Sequence, residues 1–205
     1  MSEENRLEAV KVPGVQVDAA RVEGESPAVL GGGTAEKSVL HSWFRDMVVS
    51  VVVSAFIILF LYQPVRVEGT SMLPMLEDQD RLFVNKMAYR VGDIHRGDVV
   101  VFLYPHDHSK SYIKRVIALP GDTLRIEQGR VYVNGQPVVE GYVPARFEDS
   151  RSHPETVLSA QEYWVMGDHR SISSDSRDFG PVERPLIYGK AAFVYWPMDQ
   201  AGVVR

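Results

Sequence analysis

The chain has 205 residues, no cysteine and a formal net charge of −5 at pH 7. That length fits one domain with accessories. The missing cysteines exclude disulfide scaffolds, thiol nucleophiles, Fe–S clusters and Cys-type zinc sites, and the acidic balance excludes a general electrostatic footprint for nucleic acid. Hydrophobic residues at 45% and charged residues at 24% are those of a folded globular chain, so covalent catalysis would fall to Ser, Thr, Lys, Asp, Glu, His or Tyr.

Residues 1–38 mix Gly, Pro, Ser and scattered charge, with acids outnumbering bases. No apolar stripe persists, and Gly31-Gly32-Gly33 interrupts any helix there. The segment reads as a disordered tail, with a short strand at Val10–Val17 as the weaker reading.

Residues 47–65 run MVVSVVVSAFIILFLYQPV, with no charge between Asp46 and Arg66. As a helix this rises about 28 Å, close to the hydrocarbon thickness of a bilayer. Trp43 and Tyr62 sit near its ends, where interfacial aromatics belong, and Pro64 is a natural stop. We expect one transmembrane helix over 45–64, after a cytoplasmic tail and flank over 1–44. A buried strand pair is the alternative, because the run is rich in Val. A cleaved leader fits poorly: the run follows 46 acidic-leaning residues, and no small-x-small site follows it. Lys37 and Arg45 against Arg66 give a slight preference for an N-terminus inside.

Beyond Arg66 the pattern is strand-like. Arg81–Asn85, Asp98–Tyr104, Tyr112–Ala118, Leu124–Glu127, Arg130–Val133, Tyr163–Met166 and Ala191–Trp196 read as strands. Asn134-Gly135 predicts a two-residue hairpin between Arg130–Val133 and Gln136–Val139. The expectation is a mostly β, antiparallel domain over 65–205, with a small inserted β region around 122–162. Residues 142–160 are polar and read as a surface excursion.

Three segments are unusual for a plain β domain. The first, Val67–Leu76, holds Ser71 between Gly69 and Pro74. A serine hydroxyl is inert until a base takes its proton, and alone this is an ordinary turn. The second, Ser111–Asp122, contains Lys114 and Arg115. Strand alternation puts Lys114 on the face of Tyr112 and Val116, and Arg115 on the face of Ile113 and Ile117. A desolvated lysine loses affinity for its proton and can serve as a general base. The competing reading is two cations snorkelling from an edge strand. The third, Val165–Gly180, is dense in Gly, Asp, Arg and Ser; Asp168, Arg170, Asp175 and Arg177 can form charge-assisted pairs that hold a loop rigid.

Histidine offers two rival constellations. His106-Asp107-His108 lacks an obvious third metal ligand, and we expect no metal. A Ser71–His169–Asp168 triad is strained by the adjacency of its Asp and His, and ranks below the Ser–Lys pairing.

Together the three segments resemble bacterial type I signal peptidases, membrane-anchored Ser/Lys proteases. The resemblance rests on Gly69-Thr70-Ser71-Met72-Leu73-Pro74-Met75-Leu76, on Tyr112-Ile113-Lys114-Arg115-Val116 followed by Pro120-Gly121-Asp122, and on Gly167-Asp168-His169-Arg170 followed by Ser173, Asp175-Ser176-Arg177 and Gly180. It spans 45–197. It implies an antiparallel β-sheet catalytic domain of signal-peptidase/LexA-like type, with Ser71 as nucleophile and Lys114 as general base. Ser173 would orient the lysine amine, and Asp175 and Arg177 would form a structural pair. Gly69 stands where some relatives carry a serine that helps the oxyanion hole. Val65, Val67, Met72, Leu76, Tyr112 and Ile113 would line pockets for small residues at substrate positions −1 and −3. The implied partners are preprotein signal peptides, the lipid bilayer and the secretion translocon, with no cofactor. The implied location is the cytoplasmic membrane, catalytic face outward. Met75 replaces the usual Thr and His169 the usual Asn. A LexA-like self-cleaving protein and a non-catalytic membrane-anchored β scaffold remain as alternatives.

Overall fold

A computed structural model describes residues 35–205, with side chains described except at 35–40 and 58–60. The tail expected over 1–34 lies outside the described residues. The chain divides into two units, Met1–Asp46 and Met47–Arg205. The described part of the first is the start of helix α1, Ala35–Leu61.

α1 begins ten residues before the boundary at 45 and ends at Leu61, not at 64. Tyr62–Arg66 instead forms strand β1, paired antiparallel with β2, Arg81–Asn85. Pro64 fits that role, because β1 pairs on one side only and an edge strand tolerates a missing donor. Val48, Val49, Val51, Val52, Val53, Phe56 and Ile57 of α1 are exposed. Among the described residues no helix is long and apolar enough to cross a membrane; the expected span passes through 58–60, whose side chains lie outside the description.

The remaining elements are α2 (Ala88–Val91), β3 (Val99–Tyr104), β4 (Asp107–Ala118), β5 (Thr123–Glu127), β6 (Arg130–Val133), β7 (Gln136–Pro137), β8 (His153–Val157), β9 (Glu162–Met166), α3 (Ser176–Phe179), β10 (Val182–Glu183), β11 (Ile187–Trp196) and β12 (Gly202–Val203). The main sheet runs β1-β2-β11-β3-β4-β9-β10, with β12 on β11. A second sheet runs β7-β6-β5-β8. Every pairing is antiparallel, as the sequence suggested. The Asn134-Gly135 hairpin forms as expected: both residues have positive φ, 52° and 77°, which a type I′ turn demands.

The polar excursion is more structured than its composition suggested. It carries β8, which pairs with β5 and completes the second sheet. Ile117, Leu124, Ile126, Val131, Trp164 and Met166 are buried together at that sheet. In the main sheet, Leu82, Val84, Val99, Val101, Ala191 and Val194 bury a separate cluster that also takes in Val67, Met72 and Leu76. This second cluster fixes the floor under the turn that carries Ser71.

Candidate active site

The Ser71 turn is held by apolar anchors that follow the serine in sequence. Met72 and Leu76 are essentially fully buried, and each anchor is worth roughly 1.5–3 kcal/mol of burial. The Leu76 N–H donates to the Met72 carbonyl at 3.0 Å, closing the turn. At its entrance the Gly69 N–H donates to Asp78 Oδ1 at 2.8 Å, and φ at Gly69 is +95°, a conformation that favours glycine.

Lys114 reaches this turn from β4. Its Nζ lies 2.6 Å from Ser71 Oγ. β4 is not an edge strand: it pairs with β3 on one side and β9 on the other, so the snorkelling alternative fails for both cations. Lys114 is 5% exposed and Arg115 2% exposed. Burial pulls the Lys114 amine down from 10.5 to about 8; the Asp175 and Asp168 charges oppose the drop and Arg177 adds to it. The Tyr112 ring lies 5.5 Å from Nζ, on the face that alternation assigned to both residues.

Arg115 has a different task. Nε and Nη2 donate to the two Asp168 oxygens at 2.8 and 2.6 Å, and Nη1 donates to the carbonyls of Gly97 and Arg205, both at 2.9 Å. Burial nevertheless keeps the Asp168 carboxyl above its ordinary range, outweighing Arg115. This geometry rules out the Ser71–His169–Asp168 triad. Asp168 faces Arg115, and His169 Nδ1 faces the Thr70 carbonyl at 3.3 Å, not Ser71 Oγ. The only protein donor to Ser71 Oγ among the described residues is Lys114.

The third segment forms a rigid loop. Arg177 grips Asp175 through Nε at 2.8 Å and Nη2 at 2.7 Å, and reaches Asp149 through Nη1 at 2.7 Å. Asp175 also accepts the Gly167 N–H at 3.0 Å and caps α3. Burial would raise the Asp175 carboxyl, but the Arg177 bonds and charge hold it below its ordinary range. Arg170 binds both oxygens of Glu140, and Arg151 donates to the carbonyls of Arg170 and Ser173. Glu140, Asp149 and Arg151 were not singled out from the sequence. Their signal is charge that alternates in sign along a segment read as solvated.

Ser173 is 2% exposed. Its Oγ forms no hydrogen bond, so the expected bond to Lys114 is not made here. A Cβ at Gly167 would meet Ser173 Oγ at 2.3 Å and the Ser71 carbonyl oxygen at 2.5 Å. Gly167 therefore brings β9 against the Ser71 turn, and only a residue without a side chain fits.

Ser71 and Lys114 open onto a groove of about 740 Å³. Of the expected pocket residues, Val65, Val67, Tyr112 and Ile113 line it, as does Gly69. Met72 and Leu76 do not: they lie in the core beneath. Val101, Ile172 and Ser174 line it without having been singled out. Both β1 and the 109–113 stretch of β4 border the groove, and among the described residues each has an unpaired backbone edge there. Among the described residues no group of three or more His, Asp or Glu side chains could hold a metal.

A serine hydroxyl in contact with a buried, weakly basic amine beside an extended groove can perform acyl transfer. That is the chemical outline of a serine hydrolase. The sequence matches the family model described as signal peptidase, peptidase S26, over residues 40–196. Signal peptidase I of Bacillus licheniformis is 35% identical over 180 residues, covering 82% of this chain and 94% of that protein. Signal peptidase I of Leptolyngbya laminosa is 34% identical over 210 residues, covering 98% and 96%. A crystal structure of a signal peptidase I from Enterococcus faecalis is 25% identical and covers 50% of this chain and 99% of that one, with a TM-score of 0.44. The chain belongs to the signal peptidase family, peptidase S26, and is a serine endopeptidase, a hydrolase of peptide bonds. The resemblance carried by the three segments is borne out.

Proposed function

We propose that this protein is a membrane-bound endopeptidase that removes N-terminal signal peptides from exported preproteins, with Ser71 as nucleophile and Lys114 as general base. One observation carries the reading: Lys114 Nζ lies 2.6 Å from Ser71 Oγ, with its pKa drawn down to about 8 by burial. At pH 8 about half the amine is neutral, and at pH 7 roughly one tenth.

The substrate lies extended in the groove and adds main-chain hydrogen bonds to the free edges of β1 and β4. Small side chains at −1 and −3 face Val65, Val67, Tyr112 and Ile113. Neutral Lys114 takes the proton from Ser71 Oγ as it attacks the carbonyl after the −1 residue. The Ser71 N–H donates to the developing oxyanion. Lys114 then protonates the departing amine, and an acyl-enzyme remains on Ser71. Lys114 next removes a proton from water, which attacks the ester carbonyl; the ester C–O bond then breaks and Ser71 Oγ takes that proton back from Lys114. Asp175 and Arg177 keep the loop around Ser173 in place.

The exposed Val side chains of α1 support an anchor in lipid, because exposed apolar side chains favour an apolar solvent. The N-terminus is then cytoplasmic and the groove lies at the outer membrane surface, where the secretion translocon delivers substrate. The protein in detergent should cleave a preprotein with Ala at −3 and −1, faster as pH rises from 6 to 9. Ser71→Ala and Lys114→Ala should abolish cleavage. A folded Lys114→Ala protein that cleaves at the wild-type rate would overturn the assignment.

A further inference from the structure

The nucleophile's peptide bond is held from behind by a residue that the mechanism above leaves idle. His169 makes two contacts with adjacent carbonyls of the nucleophile turn. Its backbone N–H donates to the Ser71 carbonyl at 3.0 Å, and its ring Nδ1 lies 3.3 Å from the Thr70 carbonyl. A carbonyl only accepts, so the ring contact is a hydrogen bond when Nδ1 carries the proton. The ring is kept in place by Phe147, whose centroid lies 4.0 Å away, and Phe147 is itself covered by the Arg146 guanidinium at 4.8 Å. The Phe147 carbonyl accepts the Ser171 N–H at 3.1 Å, tying that stack to the same loop.

The Thr70 carbonyl and the Ser71 N–H are the two ends of one planar amide. Fixing the oxygen therefore fixes the direction of the N–H. A donor on the oxygen also polarises the amide and strengthens the N–H as a donor. The Leu73 N–H, 3.3 Å away, is the other donor to the Thr70 oxygen, while the Ser71 N–H has no acceptor among the described residues. Position 69 is glycine, so no side-chain hydroxyl there can share the oxyanion.

We propose that His169 is a positioning residue for oxyanion stabilisation: its Nδ1–H, bound to the Thr70 carbonyl, aims and strengthens the Ser71 N–H. The proposal rests on Ser71 being the nucleophile. It assigns His169 a task other than a triad base. Removing a hole donor outright costs roughly 10²–10³ in kcat. Loosening one from behind costs less, about tenfold.

The test uses the full chain in detergent and four variants. Ser71→Ala checks the underlying reading. His169→Ala removes ring and donor, His169→Phe keeps a ring on Phe147 without a donor, and His169→Asn restores a short side-chain donor. kcat and KM are measured on the preprotein, with inhibition by a signal-peptide fragment ending in an alanine aldehyde. That aldehyde reports the hole directly. Ser71 Oγ bonds to its carbonyl carbon, the π pair moves onto oxygen as the oxyanion, and the serine proton passes to Lys114. His169→Ala and His169→Phe should each lower kcat about tenfold with KM little changed, and weaken the aldehyde by a similar factor. His169→Asn should recover most of both. Equal loss in Ala and Asn variants, or full activity in the Phe variant, overturns the proposal. A loss above 10³ in the Ala variant overturns it in favour of a base role. If Ser71→Ala is as active as wild type, the nucleophile assignment itself falls.

Discussion

Replacing Lys114 by Met should destroy activity and make the folded state more stable. Lys114 is 5% exposed, and its amine falls from 10.5 to about 8 on folding, chiefly through burial. Below pH 8 it is protonated in both states, and the fold bears the full cost of a desolvated cation. Between 8 and 10.5 the unfolded chain binds more protons, so stability rises with pH; above 10.5 the cost is gone. At 1.36 kcal/mol per pH unit the cost is about 3 kcal/mol at neutral pH. The lost bond to Ser71 returns about 1 kcal/mol of this. Lys114→Met should therefore gain about 2 kcal/mol at pH 7, with most of that advantage gone by pH 9.5. Urea unfolding of both proteins in detergent, followed by tryptophan fluorescence, measures the difference at each pH. An advantage independent of pH, or a variant less stable at pH 7, would refute the reasoning.

Three further substitutions probe the surroundings. Arg115→Ala strands the buried Asp168 carboxyl and should cost about 3–5 kcal/mol in the same unfolding assay; a loss under about 1 kcal/mol would mean the pair is not what holds the loop. Gly167→Ala forces a methyl into the Ser71 carbonyl and Ser173, and should lower kcat/KM about 10²-fold in preprotein cleavage, since an ångström of misplacement carries that penalty; unchanged activity would show that the turn yields freely. Asp175→Asn removes the charge that most strongly supports the protonated amine, so the acid limb of kcat/KM should move below pH 8, by about half a unit or more. A limb that stays or climbs contradicts that electrostatic assignment.

The contact between Ser71 and Lys114 could be anticipated because the two residues sit in short segments of unusual chemistry. What alternation could not decide was whether Lys114 was buried. That depends on β3 and β9, which flank β4 in space but come from both sides of it in sequence. Met72 and Leu76 were expected in the substrate pockets. They lie in the core because the Ser71 turn folds inward, which no local pattern encodes. Asp168 and Arg170 were expected in charge-assisted pairs within their own segment, yet Asp168 binds Arg115 and Arg170 binds Glu140. In each case the residue types were right and the partner was chosen by tertiary contact. The excursion over 142–160 shows the same: His153–Val157 is polar and holds Pro154, so it becomes a strand only because β5 offers it a ladder. The helix boundary failed for a related reason. Tyr62 and Val65 are apolar enough to extend a helix, and only β2 makes them a strand.

The contacts that align Ser71 come from far along the chain. His169 binds its carbonyl, Gly167 makes room for it, and Lys114 meets its hydroxyl. A chain made only as far as β4, or one still half-folded, contains the serine and the lysine without the contacts that align them. Proteolytic power thus switches on as an all-or-none property of the finished domain. A serine peptidase whose parts meet this late carries in that assembly a safeguard against cutting while it is itself incomplete.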